Sequence, residues 1–255
     1  MDILFQTLPP MMFALACAIA VMAGVVKGLV GFAMPMVLIS GLSTFIAPDV
    51  ALAGLILPTV VTNVIQALRQ GPRAALVSLR RFWLFLTAMF LALIGSAQLV
   101  PMLDMQTMFL MIGVPVVGFA LLQISGKAFH GLRQSRVLDA GIGGFAGFIG
   151  GVSGVWGAPT VAYLTGLQTE KHEQMRAQGV IYGVGAVALF GAHLKSGVLR
   201  PETAPLSIAL VPAAVLGMWI GGRLLDRIDQ KMFRKATLLV LLIAGMNLVR
   251  RGLVG

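Results

Sequence analysis

Ala23-Gly24-Val25-Val26-Lys27-Gly28-Leu29-Val30-Gly31-Phe32-Ala33-Met34-Pro35 is the stretch on which the fold turns. Its side chains are apolar apart from one cation, yet three glycines and a proline interrupt it. Glycine costs about 1 kcal/mol and proline about 3 kcal/mol in a helix interior. A helix entering this segment is therefore expected to break near Gly28–Pro35. In lipid, backbone groups freed by such a break are tolerated only inside protein or against a polar cavity.

The rest of the chain places the segment in lipid. Of 255 residues, 58% are hydrophobic and 11% charged, with a mean hydropathy of +0.94. A soluble domain is about half apolar and a quarter charged, so a water-soluble globule is excluded. Charge-free stretches run over 3–26, 28–48, 50–68, 82–103, 105–126, 140–169, 177–194, 203–222 and 236–249. Most suffice to cross a bilayer, which takes roughly 20 apolar residues. The loops 69–81, 126–139, 165–176 and 223–235 are too short for a separate catalytic or nucleic-acid-binding domain. The chain is read as one transmembrane domain over 1–255, multi-pass, in a cell membrane of the bacterial inner-membrane kind. The opening Met1-Asp2-Ile3-Leu4-Phe5 has no basic leader, so the first apolar run is expected to be retained as a membrane segment.

The net charge of +10 would suggest nucleic acid in a soluble protein. Here Arg73, Arg80, Arg81, Arg133, Arg136, Arg227, Lys231, Arg234 and Lys235 all flank apolar spans, as positive-inside orientation requires. The basic balance reports topology, and the partner surface is the lipid bilayer. With 69–81 inside, Asp104 falls outside and 126–139 inside. Reading 3–48 and 140–169 as hairpins then gives five passes per half and about ten segments. An odd number per half inserts the two halves in opposite directions.

The halves also resemble each other. Gly24, Gly28, Gly31 and Pro35 correspond to Gly147, Gly151, Gly154 and Pro159, and Met108-Phe109 recurs as Met232-Phe233. The fold class expected is an all-α polytopic membrane protein with two inverted repeats, about 3–126 and 137–252, each opening with a broken helical hairpin. Inverted repeats of this kind serve alternating access in many secondary transporters.

Lys27 is the one charge of the chain inside a long apolar stretch. An intramembrane ionisable residue is costly and marks a functional candidate. The competing reading is a side chain that snorkels to an interface. A lysine beside a helix break, with no acidic partner in its segment, points to a bound anion, because half-helix N-termini present N–H donors and a positive dipole end. The candidate substrate-binding set is Lys27, Gly28, Gly31, Asn63, Gln66, Gly151, Ser153, Gly154, Trp156 and Gln178. Taken singly, Asn63, Gln66 and Gln178 are better read as interhelical hydrogen-bonding residues, and Trp156 suits packing as well as donation to a sulfonate.

The residues resemble a known family. The Ala-Gly-x-x-x-Gly-x-x-Gly-Phe pattern at 23–32, Pro35, and the glycine-rich copy at 147–159 look like the TauE/SafE family of sulfite and organosulfonate exporters, whose members are also described as sulfonate uptake permeases. The resemblance extends to Arg69-Gln70-Gly71 and to Gly217-x-x-x-Gly221-Gly222-Arg223. Two departures are Ala33-Met34, where many members carry a glycine run after Phe, and Lys27, where the residue is often uncharged. The resemblance implies export of a small sulfur-containing anion, sulfite or an organosulfonate such as sulfoacetate. An anion channel or facilitator for another small carboxylate or oxyanion is the alternative reading.

Other chemistry is weaker. Gly151-Val152-Ser153-Gly154 matches the Gly-x-Ser-Gly of rhomboid proteases, but the repeat already accounts for its glycines, so no enzyme is expected. Cys17 is alone, and His130, His172 and His193 are scattered, so neither a metal site nor a cofactor is expected. Each Asp and Glu is placed at a terminus or in a connection, which leaves no carboxylate relay. The i,i+4 glycines Gly24/Gly28, Gly143/Gly147/Gly151, Gly179/Gly183 and Gly217/Gly221 suit close helix approach, and their faces are candidate homodimer surfaces.

Overall fold

The computed structural model describes residues 9–97, 105–125, 132–153, 156–195 and 199–254, and these are helical with short connections. The helices are α1 (Pro10–Val30), α2 (Met34–Leu42), α3 (Pro48–Leu68), α4 (Pro72–Arg81), α5 (Trp83–Ala97), α6 (Met105–Ile124), α7 (Arg136–Ser153), α8 (Gly157–Gly166), α9 (Lys171–Lys195), α10 (Ala204–Arg227) and α11 (Gln230–Val254). By length and composition α1, α3, α10 and α11 are able to cross a membrane, as is the α4–α5 pair if its 70° bend lies within one span. The protein is a multi-pass membrane protein. Its exposed faces carry Leu91, Ile94, Ile208, Leu239 and Ile243, side chains that suit lipid.

Both breaks expected from glycine and proline are present. α1 ends at Val30 and α2 begins at Met34; α7 ends at Ser153 and α8 begins at Gly157. The prolines do not themselves interrupt a helix. Pro35 and Pro159 lie in the first turns of α2 and α8, where a missing N–H breaks no helical hydrogen bond. Gly154, Pro101 and the Asp104 turn lie outside the described residues.

The chain folds as two compact units. The first comprises 1–72 and 179–229. In it α1 packs along α10 through glycines on both helices: a Cβ at Gly24 would overlap the Ala214 carbonyl, one at Gly28 the Met218 carbonyl, one at Gly217 the Val21 carbonyl and one at Gly221 the Val25 carbonyl. Backbone meets backbone along this seam, as small residues permit in membranes. Alanines 16, 20 and 23 of α1, with Met34, Leu38 and Leu42 of α2, join Leu206, Leu210 and Ala214 of α10 in a buried core.

Pro58, inside α3, leaves the Gly54 carbonyl without its usual helical donor. Ser207 of α10 fills the gap: its Oγ donates to Gly54 O at 3.4 Å and accepts from Leu57 N–H at 3.1 Å. At the other end of α3, Arg69 donates to the Gly222 carbonyl at 3.3 Å and pairs with Asp226 at 2.7 Å.

The second unit comprises 73–178 and 230–255. Here α5 packs along α7, with Gly143 against the Phe85 backbone and Gly147 against Met89, and α6 packs along α11 through Gly113, Gly245 and Gly252. The glycine pairs offered above as homodimer surfaces thus lie against helices of the same chain, including Gly179 against Ala67 in the first unit.

Three sequence expectations are corrected. The stretches 69–81, 126–139, 165–176 and 223–235, read as loops, carry helix: α4 occupies 72–81, α7 starts at Arg136, α9 at Lys171, and α10 runs on to Arg227 with α11 from Gln230. Several charges in these stretches sit at helix ends instead of in coil, Arg80 and Arg81 in the last turn of α4 and Glu173 in the first turn of α9, where the helix dipole favours each sign. Asp139 is not in a connection. It lies in the first turn of α7, is 6% exposed, and accepts from the Tyr163 hydroxyl at 2.7 Å and from Gln134 Nε2 at 3.0 Å. Gln134 in turn accepts from Arg81 Nε at 2.8 Å, and Arg81 pairs with Glu173.

Candidate functional site

The site is built where α1 stops. Gly31 takes the left-handed conformation (φ 89°) and its N–H donates back to the Lys27 carbonyl at 2.7 Å, closing the helix. Ala33 follows at φ 70°, a conformation that costs an L-residue roughly 1–2 kcal/mol. The chain then turns into α2, whose N-terminus has no side-chain cap. The position at which the sequence resemblance implies a glycine is thus one whose backbone favours glycine.

Lys27 lies one turn before the break and is 1% exposed, so its amine is not carried out to an exposed interface. Its Nζ donates to Asn63 Oδ1 on α3 at 2.5 Å. Asn63 Nδ2 donates to the Tyr182 carbonyl on α9 at 3.4 Å, and Gln66 Nε2 donates to the Gly31 carbonyl at 3.1 Å. Thr62, also fully buried, spends its hydroxyl on the Pro58 carbonyl at 2.6 Å. Among the described residues no carboxylate forms an ion pair with Lys27. A buried amine held by a neutral amide can, when protonated, take an anion as its counter-ion.

The structure therefore brings together Lys27, Gly31, Asn63 and Gln66 within the first unit. Gly28 differs from its expected role: it sits inside α1 against α10, where lack of a side chain lets the two backbones approach. Gly31 likewise contributes its carbonyl to Gln66 and spends its N–H on the α1 cap, so donors at the break come from the start of α2 and from side chains.

In the second unit, Gly151 and Ser153 form the end of α7, Trp156 is the N-cap of α8, and Gly154 lies outside the described residues. The Trp156 side chain lies over Gly150, with Cβ and Cε3 at 3.0 and 3.2 Å from where a Cβ would stand, which is a packing contact. Gln178 is fully buried on α9. Sequence reasoning missed the Tyr182 carbonyl as Asn63's acceptor and the left-handed Ala33. The only sequence signal for the latter was its departure from a glycine run.

Among the described residues no group of three or more His, Cys, Asp or Glu could hold a metal ion. A family model described as Sulfite exporter TauE/SafE matches residues 16–248, which take in both breaks and all the candidate residues. No curated protein and no solved structure matches the chain.

Proposed function

The chain belongs to the sulfite exporter TauE/SafE family, and from that premise we propose that it is a secondary transporter moving a small sulfur-containing anion, sulfite or an organosulfonate such as sulfoacetate, outward by alternating access. The observation that carries the reading is Lys27, buried to 1% and held by the neutral Asn63 at a break in α1. Sulfite and sulfonates present oxygens that accept hydrogen bonds in several directions. An ammonium, an uncapped α2 start and two carboxamides supply donors of that kind. The sulfonate's organic tail would meet the aliphatic lining that the surrounding apolar helices provide.

The order of elements supports two repeats. A long helix, a short one after the break, a long helix, and two further segments occur as α1, α2, α3, α4–α5 and α6, then again as α7, α8, α9, α10 and α11. Packing repeats as well: the first helix of one half lies along the fourth segment of the other half in each unit, α1 on α10 and α7 on α5. Reciprocal pairing of this type is what related halves inserted in opposite senses would produce.

The deciding experiment is sulfite efflux from proteoliposomes, with sulfoacetate, taurine, sulfate and an uncharged analogue as competitors. Efflux should saturate, compete with the other sulfur anions and fall to background in Lys27→Met. Efflux equal to that of empty vesicles in the parent protein would remove the transport reading, and full activity in Lys27→Met would move the site elsewhere.

A further inference from the structure

Helix α4 turns away from α5 by 70° at Phe82. If α5 stands along the bilayer normal, α4 runs nearly in the plane of the membrane surface on the basic side of the protein. Its two faces differ in what they touch. One is held by the protein: Ser78 is buried and accepts from Arg176 Nε at 2.7 Å, Arg81 bonds Gln134 and Glu173, and Phe82 is 1% exposed.

The other face is an exposed stripe among the described residues. Arg73, Leu76, Val77 and Arg80 follow the i, i+3, i+4, i+7 spacing of one helix side, and all are exposed, Leu76 at 44% and Val77 at 58%. Trp83 continues past the bend at 57% exposure. Among the described residues no hydrogen bond or ion pair engages Arg73 or Arg80. Two exposed guanidinium groups thus bracket an aliphatic patch, roughly 10 Å apart along the axis at about 1.5 Å per residue.

We propose that α4 is an interfacial helix that binds anionic phospholipid of the basic-side leaflet, with Arg73 and Arg80 on lipid phosphates, Leu76 and Val77 among the acyl chains and Trp83 at headgroup depth. Aliphatic side chains at the centre of the stripe suit a lipid better than a free phosphate, which would need only the charges. Guanidinium forks match phosphate oxygens bidentately, and a basic amphipathic helix is drawn to an anionic leaflet. Tryptophan prefers the headgroup region. This surface is independent of the transport site and would act whatever the substrate.

The test uses full-length protein carrying Trp156→Phe and Trp219→Phe, so that Trp83 alone reports. It is reconstituted into phosphatidylcholine–phosphatidylglycerol vesicles in which one or the other lipid is brominated. Brominated phosphatidylglycerol should quench Trp83 with a relative binding constant roughly tenfold above that of brominated phosphatidylcholine, given the attraction of two surface arginines. The preference should approach unity in Arg73→Gln/Arg80→Gln, survive largely in Arg73→Lys/Arg80→Lys, and fall with added salt in the unsubstituted stripe. Equal quenching by the two lipids before any arginine is changed would overturn the proposal. So would a preference untouched by the glutamine pair in protein that remains monodisperse, or one abolished by soluble glycerophosphate, which would assign the arginines to a free phosphate.

Discussion

Lys27 Nζ stands 2.5 Å from Asn63 Oδ1, so the one cation buried in α1 is bound to a neutral amide from α3. Supplying a carboxylate at the same place would satisfy the amine without an anion. Asn63→Asp is accordingly expected to fold and to lower sulfite efflux at least about tenfold, equivalent to ~1.4 kcal/mol of lost binding. Flux in proteoliposomes beside a size-exclusion profile reads both effects, and undiminished flux would show that the charge on Lys27 is not used by substrate.

Gly31 and Ala33 take left-handed backbone at the same break, one with and one without a side chain. Gly31→Ala should lower unfolding stability by about 1–2 kcal/mol, while Ala33→Gly should raise it, by less because glycine also loosens the unfolded chain. Thermal unfolding in detergent micelles compares the pair. Equal shifts would mean that the turn adjusts to whatever occupies it.

Gly221 has no room for a Cβ against α1, whereas Gly95 on α5 meets nothing within 4 Å. Gly221→Val should separate α1 from α10 and destabilise by about 1–3 kcal/mol or prevent assembly. Gly95→Ala should leave the unfolding midpoint where it is or raise it. The contrast is measured on the two purified variants side by side.

Tyr163 donates to the buried Asp139 at 2.7 Å. Tyr163→Phe, Asp139→Asn and the double variant form a cycle in which the coupling should amount to about 1.5–3 kcal/mol, the range for a hydrogen bond to a charged group. Additive losses would place the structural weight of Asp139 on Gln134 instead.

The breaks and Lys27 were legible because glycine, proline and a lone charge are conspicuous against an apolar background. Asn63 and Gln66 were legible for the same reason: an amide in a lipid span must find a partner, and the structure supplies Lys27 and the Gly31 carbonyl. What sequence could not assign was the direction in which a residue faces. Gly28 lies close to the break, yet its helical phase turns it onto α10. Asp139 stands one position outside an uncharged run, and only the start of α7 at Arg136 makes it a buried helical residue. The bend at Phe82 has neither glycine nor proline to announce it, and the arginines beside it read as coil although they end a helix.

The seam between α1 and α10 bears on how the protein is made. α1 is synthesised well before α10, yet the carbonyls that cover Gly24 and Gly28 belong to Ala214 and Met218 of that later helix. Until α10 is made, the bare glycine ridge of α1 must face lipid or an insertase. Assembly of the first unit therefore waits on α10, and a nascent chain halted before that helix would display the ridge to membrane quality control.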